Sequence, residues 1–204
     1  MLIPHDTLPP GTLDQLLDDY VTRDGTDNGQ FTTMADRKAH LLASLERDEV
    51  FITFNYEHLQ ACLVSRHEVE PSALREYDAL KASLKEDAEG AACEAKAALE
   101  FQRLFSDLNA EGVLPMPLGR TLMQSGVSFL IQGGKVSEEE LRELLRRHSE
   151  GDYGLVCWGD KLRNLESIKC KGFLYSRYDI SGISLCVETG TGHLQTIVKE
   201  PQER

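Results

Sequence analysis

The sequence predicts an α+β protein built from two small modules joined by a helical segment. Three observations lead there. Residues 1–70 combine helical and strand periodicity. Residues 72–109 contain no proline and one glycine, Gly90, among Ala, Glu, Lys and Leu, all good helix formers. Residues 172–199 carry three strand-like runs separated by turn signals. The expected layout is 1–70 as an acidic helix–helix–hairpin module, 71–117 as a linking or dimerising helical segment, and 118–204 as a C-terminal α+β module.

Leu2-Ile3-Pro4 opens as an apolar pair followed by a turn. Pro10 suits a first helical position. Leu13, Leu16, Leu17, Tyr20 and Val21 then recur at i, i+3, i+4, i+7 and i+8, which is one apolar stripe on a helix. Asp14 and Asp18 lie four apart on its other side, with Asp19 at the margin. The run Asp24-Gly25-Thr26-Asp27-Asn28-Gly29 breaks this helix. Thr33 with Asp36 resembles a capping box for a second helix, whose apolar side is Met34, Leu41, Leu42 and Leu45. Residues 50–54 and 59–64 read as a hairpin.

From Pro71 the stripes Leu74, Tyr77, Leu80, Leu84 and Leu99, Leu104, Phe105, Leu108 predict one long helix, or two hinged near Gly90. An Ala-rich heptad frame between them is too weak for a coiled coil. Glu111-Gly112 and Pro115-Met116-Pro117 end the segment. A short helix over 125–132 follows. Ser137 and Glu140 then form a capping box for a helix with Leu141, Leu144 and Leu145 inward. Trp158 to Ile168 predicts another helix. The three final strands, 172–179, 183–188 and 194–199, make an antiparallel meander.

Charge narrows the function classes. The chain holds 34 acidic and 22 basic residues, a net of −12. Residues 1–70 alone hold 13 acidic and 5 basic ones, so most of the excess belongs to the first module. This argues against a broad electrostatic grip on nucleic acid or anionic lipid. The start lacks a basic segment followed by an apolar run, and no stretch reaches the length of a membrane span. The five cysteines are odd in number, widely spaced and without a C-x-x-C pair. These features predict a cytoplasmic protein with reduced thiols. Phosphate-binding loops, nucleophile elbows and zinc-protease motifs are missing, and no two histidines stand four apart. No cofactor and no metal are expected.

Two stretches carry resemblances. Met1-Leu2-Ile3-Pro4, Thr12 to Leu16, the loop Arg23-Asp24-Gly25-Thr26-Asp27 and the hairpin segments resemble the YheU-like family of small uncharacterised bacterial proteins, over roughly residues 1–67. The family often has Trp where His5 stands here, and an aromatic residue where Asn28 stands. The resemblance implies no catalytic residue. Arg147-His148-Ser149-Glu150-Gly151-Asp152-Tyr153-Gly154, with Asn164, Tyr178 and Thr196 to Pro201, resembles a second small uncharacterised family, found in bacterial and plasmid-borne genes. That resemblance implies a mobile-element setting.

Two functional readings follow. In the first the chain is a non-enzymatic protein-binding regulator, with host defence or a nucleic-acid-binding complex as its target. Asp14, Asp18, Asp19, Asp24 and Asp27 would form an acidic surface steering a basic nucleic-acid-binding partner. The 72–109 helix offers a surface for a homodimer. In the second reading the C-terminal module is a ribonuclease-like toxin. His148 would be its general acid or base, with Arg177, Tyr178 and Thr196 in support and His193 as a further candidate. The structural alternative for His148 is a protonated side chain at a helix C-terminus, where it favours the dipole together with Arg146 and Arg147.

Overall fold

The computed structural model describes residues 1–23, 33–55 and 60–201. It is a mixed α+β protein with six α-helices and two sheets among those residues. The chain divides into two compact units, Met1–Ala88 and Glu89–Arg204.

In the first unit the hairpin strands β2 (Val50–Asn55) and β3 (Gln60–Ser65) pair antiparallel. A third strand, β1 (Leu2–Ile3), joins them through Leu2 opposite Thr53. The apolar opening pair is therefore a strand rather than a lead into a turn. β2 is buried on both faces, because consecutive side chains of a strand point opposite ways. Ile52 meets Leu17 of α1 (Pro10–Arg23) and Leu45 of α2 (Met34–Glu46). Phe51 points the other way, onto Tyr77, with ring centroids 5.0 Å apart in an edge geometry. α1 buries Leu17 and Val21 of the expected stripe. α2 begins with the Thr33–Asp36 capping box that its sequence implies.

The central segment is one helix, α3 (Pro71–Ala110), which passes through Gly90 without interruption. A Cβ added at Gly90 would meet nothing within 4 Å. Glycine in a helix interior gives up more unfolded-state freedom than alanine and packs nothing in return. Gly90→Ala is expected to stabilise the chain by about 0.5–1 kcal/mol. The check is a higher urea midpoint at unchanged slope.

In the second unit, β5 (Leu174–Ile180), β6 (Ile183–Thr189) and β7 (Gln195–Lys199) form the antiparallel meander. The sheet has a fourth member that the sequence does not announce. β4 (Arg120–Met123) runs parallel to β7, giving the order β4-β7-β6-β5. Burial alternates along β5, so Leu174, Ser176, Tyr178 and Ile180 face inward. Helices α4 (Ser125–Gln132), α5 (Glu138–Ser149) and α6 (Trp158–Ile168) contribute Val127, Leu141, Leu144, Leu165 and Ile168 to the same two cores as Leu174, Tyr178 and Ile180. The Ser137–Glu140 capping box starts α5 as expected. Among the described residues, no helix is long and apolar enough to cross a membrane.

Candidate binding site

His148 is wholly buried at the C-terminal end of α5, where its imidazole links strands β5 and β6. Nδ1 lies 2.7 Å from Ser176 Oγ of β5, and Nε2 lies 2.9 Å from Thr189 Oγ1 of β6. Thr189 Oγ1 is 2.7 Å from Thr196 Oγ1 of β7, and the Thr196 hydroxyl donates to the Leu118 carbonyl at 2.7 Å. Proton counting fixes the rest of the chain. With its own hydrogen spent on Leu118, Thr196 accepts from Thr189. Thr189 then has no proton for the imidazole, so Nε2–H donates to Thr189. Ser176 donates to the bare Nδ1. The neutral imidazole is thereby satisfied on both sides.

Removal from water disfavours the charged ring, and His193 adds a smaller repulsion. Together they lower the His148 pKa to about 3. In the structure the ring is neutral and enclosed. It is not a protonated cap at the helix end, because the ring points into sheet hydroxyls rather than at α5 carbonyls.

Nor do the proposed ribonuclease residues share an open site. Tyr178 and Thr196 are as buried as His148, and the Tyr178 hydroxyl donates to the Asp152 carbonyl. Arg177 sits one position from Tyr178 on the same strand, so the pleat turns it to the opposite face. There it is exposed and donates to Ser184 at 2.8 Å. His193 is buried as well, and its Nε2 donates to the Gly172 carbonyl at 3.0 Å.

The neighbouring arginines are engaged along α5. Arg142 pairs with Glu138 at 2.9 Å, Arg146 with Glu143 at 2.6 Å and Arg147 with Asp152 at 2.7 Å.

On the first unit, Asp14, Asp18 and Asp19 are exposed on α1. Lys38 of α2 reaches back to Asp14 at 2.6 Å and Asp18 at 2.8 Å, which offsets part of their charge. Asp24 and Asp27 lie outside the described residues.

A different site emerges within the second unit. Phe101 and Phe105, one turn apart on α3, stack with centroids 5.7 Å apart and planes at 16°. The edge of Trp158 meets Phe101 at 5.4 Å. With Tyr153 and Lys161 these rings line a pocket of about 200 Å³. Its geometry is held from several directions. Glu94 of α3 caps α6, accepting from the backbone N–H of Trp158 at 2.6 Å and of Gly159 at 3.2 Å. Those two bonds favour the carboxylate and hold its pKa below the usual range. Gly151, with φ +85, lets the chain turn beneath Phe105. A Cβ there would sit 3.0 Å from the Phe105 ring.

The pocket has polar features too. Lys161 Nζ stands 4.4 Å above the Trp158 ring, forms no ion pair among the described residues, and acts through space on Asp152, which also lines the pocket. Tyr153 is fully buried, and its hydroxyl has no hydrogen-bond partner among the described residues. Burial pushes that hydroxyl's pKa upward.

The sequence held two signals for this site. One is the aromatic pair at i, i+4. The other is the chain's single tryptophan. Nothing in the sequence joins them, since 57 positions separate Phe101 from Trp158.

Comparison with known proteins concerns the other unit. Residues 1–68 match the Uncharacterised protein family (UPF0270). A UPF0270 protein of Pseudomonas paraeruginosa is 46% identical over 76 residues, which is 37% of this chain and the whole of that protein. One from Pseudomonas putida is 44% identical over 69 residues, 34% of this chain and 92% of its own length. One from Stutzerimonas stutzeri is 45% identical over the same span. The match takes in α1, α2 and β1 to β3 and stops short of the aromatic pocket. By its first 68 residues, therefore, the chain belongs to the uncharacterised family UPF0270.

Proposed function

We propose that the chain is a non-catalytic protein-binding regulator. The observation that carries this reading is the aromatic pocket of the second unit. Small-molecule and cofactor sites usually occupy roughly 300–1,000 Å³. A pocket of about 200 Å³ suits one side chain of a partner instead. Its wall is rich in the aromatic residues that anchor protein interfaces. Its titratable groups suit acid–base work poorly, since Arg147 holds Asp152 ionised and burial keeps the Tyr153 hydroxyl protonated.

The acidic helix belongs to the same proposal as a second contact. The exposure of Asp14, Asp18 and Asp19 supports it, and the pairing with Lys38 weakens it. A homodimer through residues 72–109, and a mobile-element setting with host defence as target, are further parts of the proposal. The last rests only on the resemblance of residues 118–202.

The test is affinity capture from a Pseudomonas lysate with the full chain as bait, read by mass spectrometry. A specific protein should be retained by wild type and lost with Trp158→Ala. Lysine at positions 14, 18 and 19 tests the acidic face in the same assay. Purified chain should leave total RNA intact. RNA cleavage by wild type and not by His148→Ala would overturn the proposal in favour of the ribonuclease.

A further inference from the structure

We infer that the pocket formed by Phe101, Phe105, Tyr153 and Trp158 receives an aromatic side chain of a partner protein, and that Lys161 pairs with a carboxylate beside that side chain. This rests on the protein-binding reading above and specifies the chemistry of the partner's contact.

The occupant follows from size, shape and charge. About 200 Å³ between ring faces and edges takes one further ring, which can stack offset or edge-on. Trp158 is partly exposed, so the pocket opens to solvent.

A quaternary ammonium would suit a ring cluster in other circumstances. Here Lys161 already holds the cation position over Trp158 and would repel it. Asp152 on the same wall is paired with Arg147, so the Lys161 ammonium, which forms no ion pair among the described residues, leaves the pocket one positive charge that attracts a single negative group. A nucleic-acid strand would need several cations to match its phosphates. The nearby arginines are committed, Arg147 to Asp152 and Arg163 to Asp160. One aromatic ring with one carboxylate matches the available groups.

Trp158 is the chain's only tryptophan, so its emission excited at 295 nm reads the pocket directly. The probe is the blocked peptide acetyl-Phe-Glu-amide, titrated into the full chain. Wild type should give a saturable change in emission. Acetyl-Ala-Glu-amide should give none. Lys161→Gln should weaken the peptide about two- to fivefold, the size of an exposed ion pair. Acetyl-Phe-Gln-amide should show the same loss. Phe101→Ala should abolish saturation, and Leu99→Ala, an exposed change on the same helix, should leave it intact.

An unchanged emission with acetyl-Phe-Glu-amide would overturn the inference. So would an equal response to the Ala or Gln peptides, or saturation by oligothymidylate at lower concentration. The two readings fail separately. If the peptide does not bind while Trp158→Ala still loses its captured protein, the partner chemistry is wrong and the binding function stands. If the peptide saturates but no protein is captured, the function is wrong and the pocket's preference stands.

Discussion

Lowering the pH from about 6.5 to 4.5 should cost the second unit about 2–3 kcal/mol of stability, and His148→Gln should remove most of that dependence. The unfolded imidazole takes up a proton near its ordinary value of 6.5, whereas the buried ring resists until about 3. Between those values the unfolded chain binds more protons than the folded one. Each pH unit below 6.5 therefore favours unfolding by about 1.4 kcal/mol, until the folded pKa is reached. The direction is opposite to that of a histidine stabilised by a carboxylate partner, which would lose stability as pH rises.

The hydrogen-bond chain explains why the ring resists. A second ring proton would have to sit on Nδ1, which accepts from Ser176. Ser176 would have to turn its hydrogen elsewhere, inside a site closed by Tyr153. The substitution also has a cost at neutral pH of about 1–3 kcal/mol, because buried hydroxyls lose a partner of the right shape. Urea midpoints followed by Trp158 emission at pH 7.5, 6.0 and 4.5 separate the two effects. Parallel pH profiles for wild type and variant would show that His148 is not the titrating group. Carboxylates held low, such as Glu94, Glu140 and Asp152, act mainly below this window.

His148 also shows where sequence reasoning runs out. Features carried by local pattern and turn signals are legible: the Thr33–Asp36 and Ser137–Glu140 caps, the α1 stripe and the final meander. The α+β class follows from those local patterns. The local setting of His148 points to a helix-end cation, whereas its partners are Ser176 and Thr189, 28 and 41 residues away. β4 escaped notice for a related reason. Its four residues gain strand character from a parallel partner some 75 positions downstream. Arg177 and Tyr178 could have been separated from sequence alone, because neighbours on a strand face opposite ways. The pocket joins the end of α3 to the start of α6, and only tertiary packing brings Phe101 to Trp158.

Gly154→Ala should be among the most damaging single substitutions in the second unit, costing more than about 3–4 kcal/mol. The loop at 153–155 runs along the free edge of β5. Arg177 N–H donates to the Tyr153 carbonyl at 3.3 Å, and Leu155 N–H donates to the Arg177 carbonyl at 2.6 Å. Gly154 sits between them with φ +67. A Cβ there would lie 2.1 Å from the Arg177 carbonyl oxygen and 2.6 Å from the Tyr178 ring. The left-handed backbone alone costs a non-glycine residue about 1–2 kcal/mol. The clash with backbone cannot be relieved by a side-chain rotation, so the loop must leave the strand edge. Tyr153 would then lose its place in the pocket, and the Tyr178 hydroxyl its Asp152 carbonyl. Gly119→Ala meets the same obstacle at the entry to β4, where φ is +63 and the Leu194 oxygen lies 2.2 Å from the new Cβ. Gly90→Ala, in open space on a helix, has the opposite sign. One chemical change at three positions should therefore give one stabilised and two strongly destabilised proteins in urea denaturation. A Gly154→Ala protein that unfolds at the wild-type midpoint would mean that the 153–155 loop does not lie on β5, and the wall of the aromatic pocket would have to be redrawn.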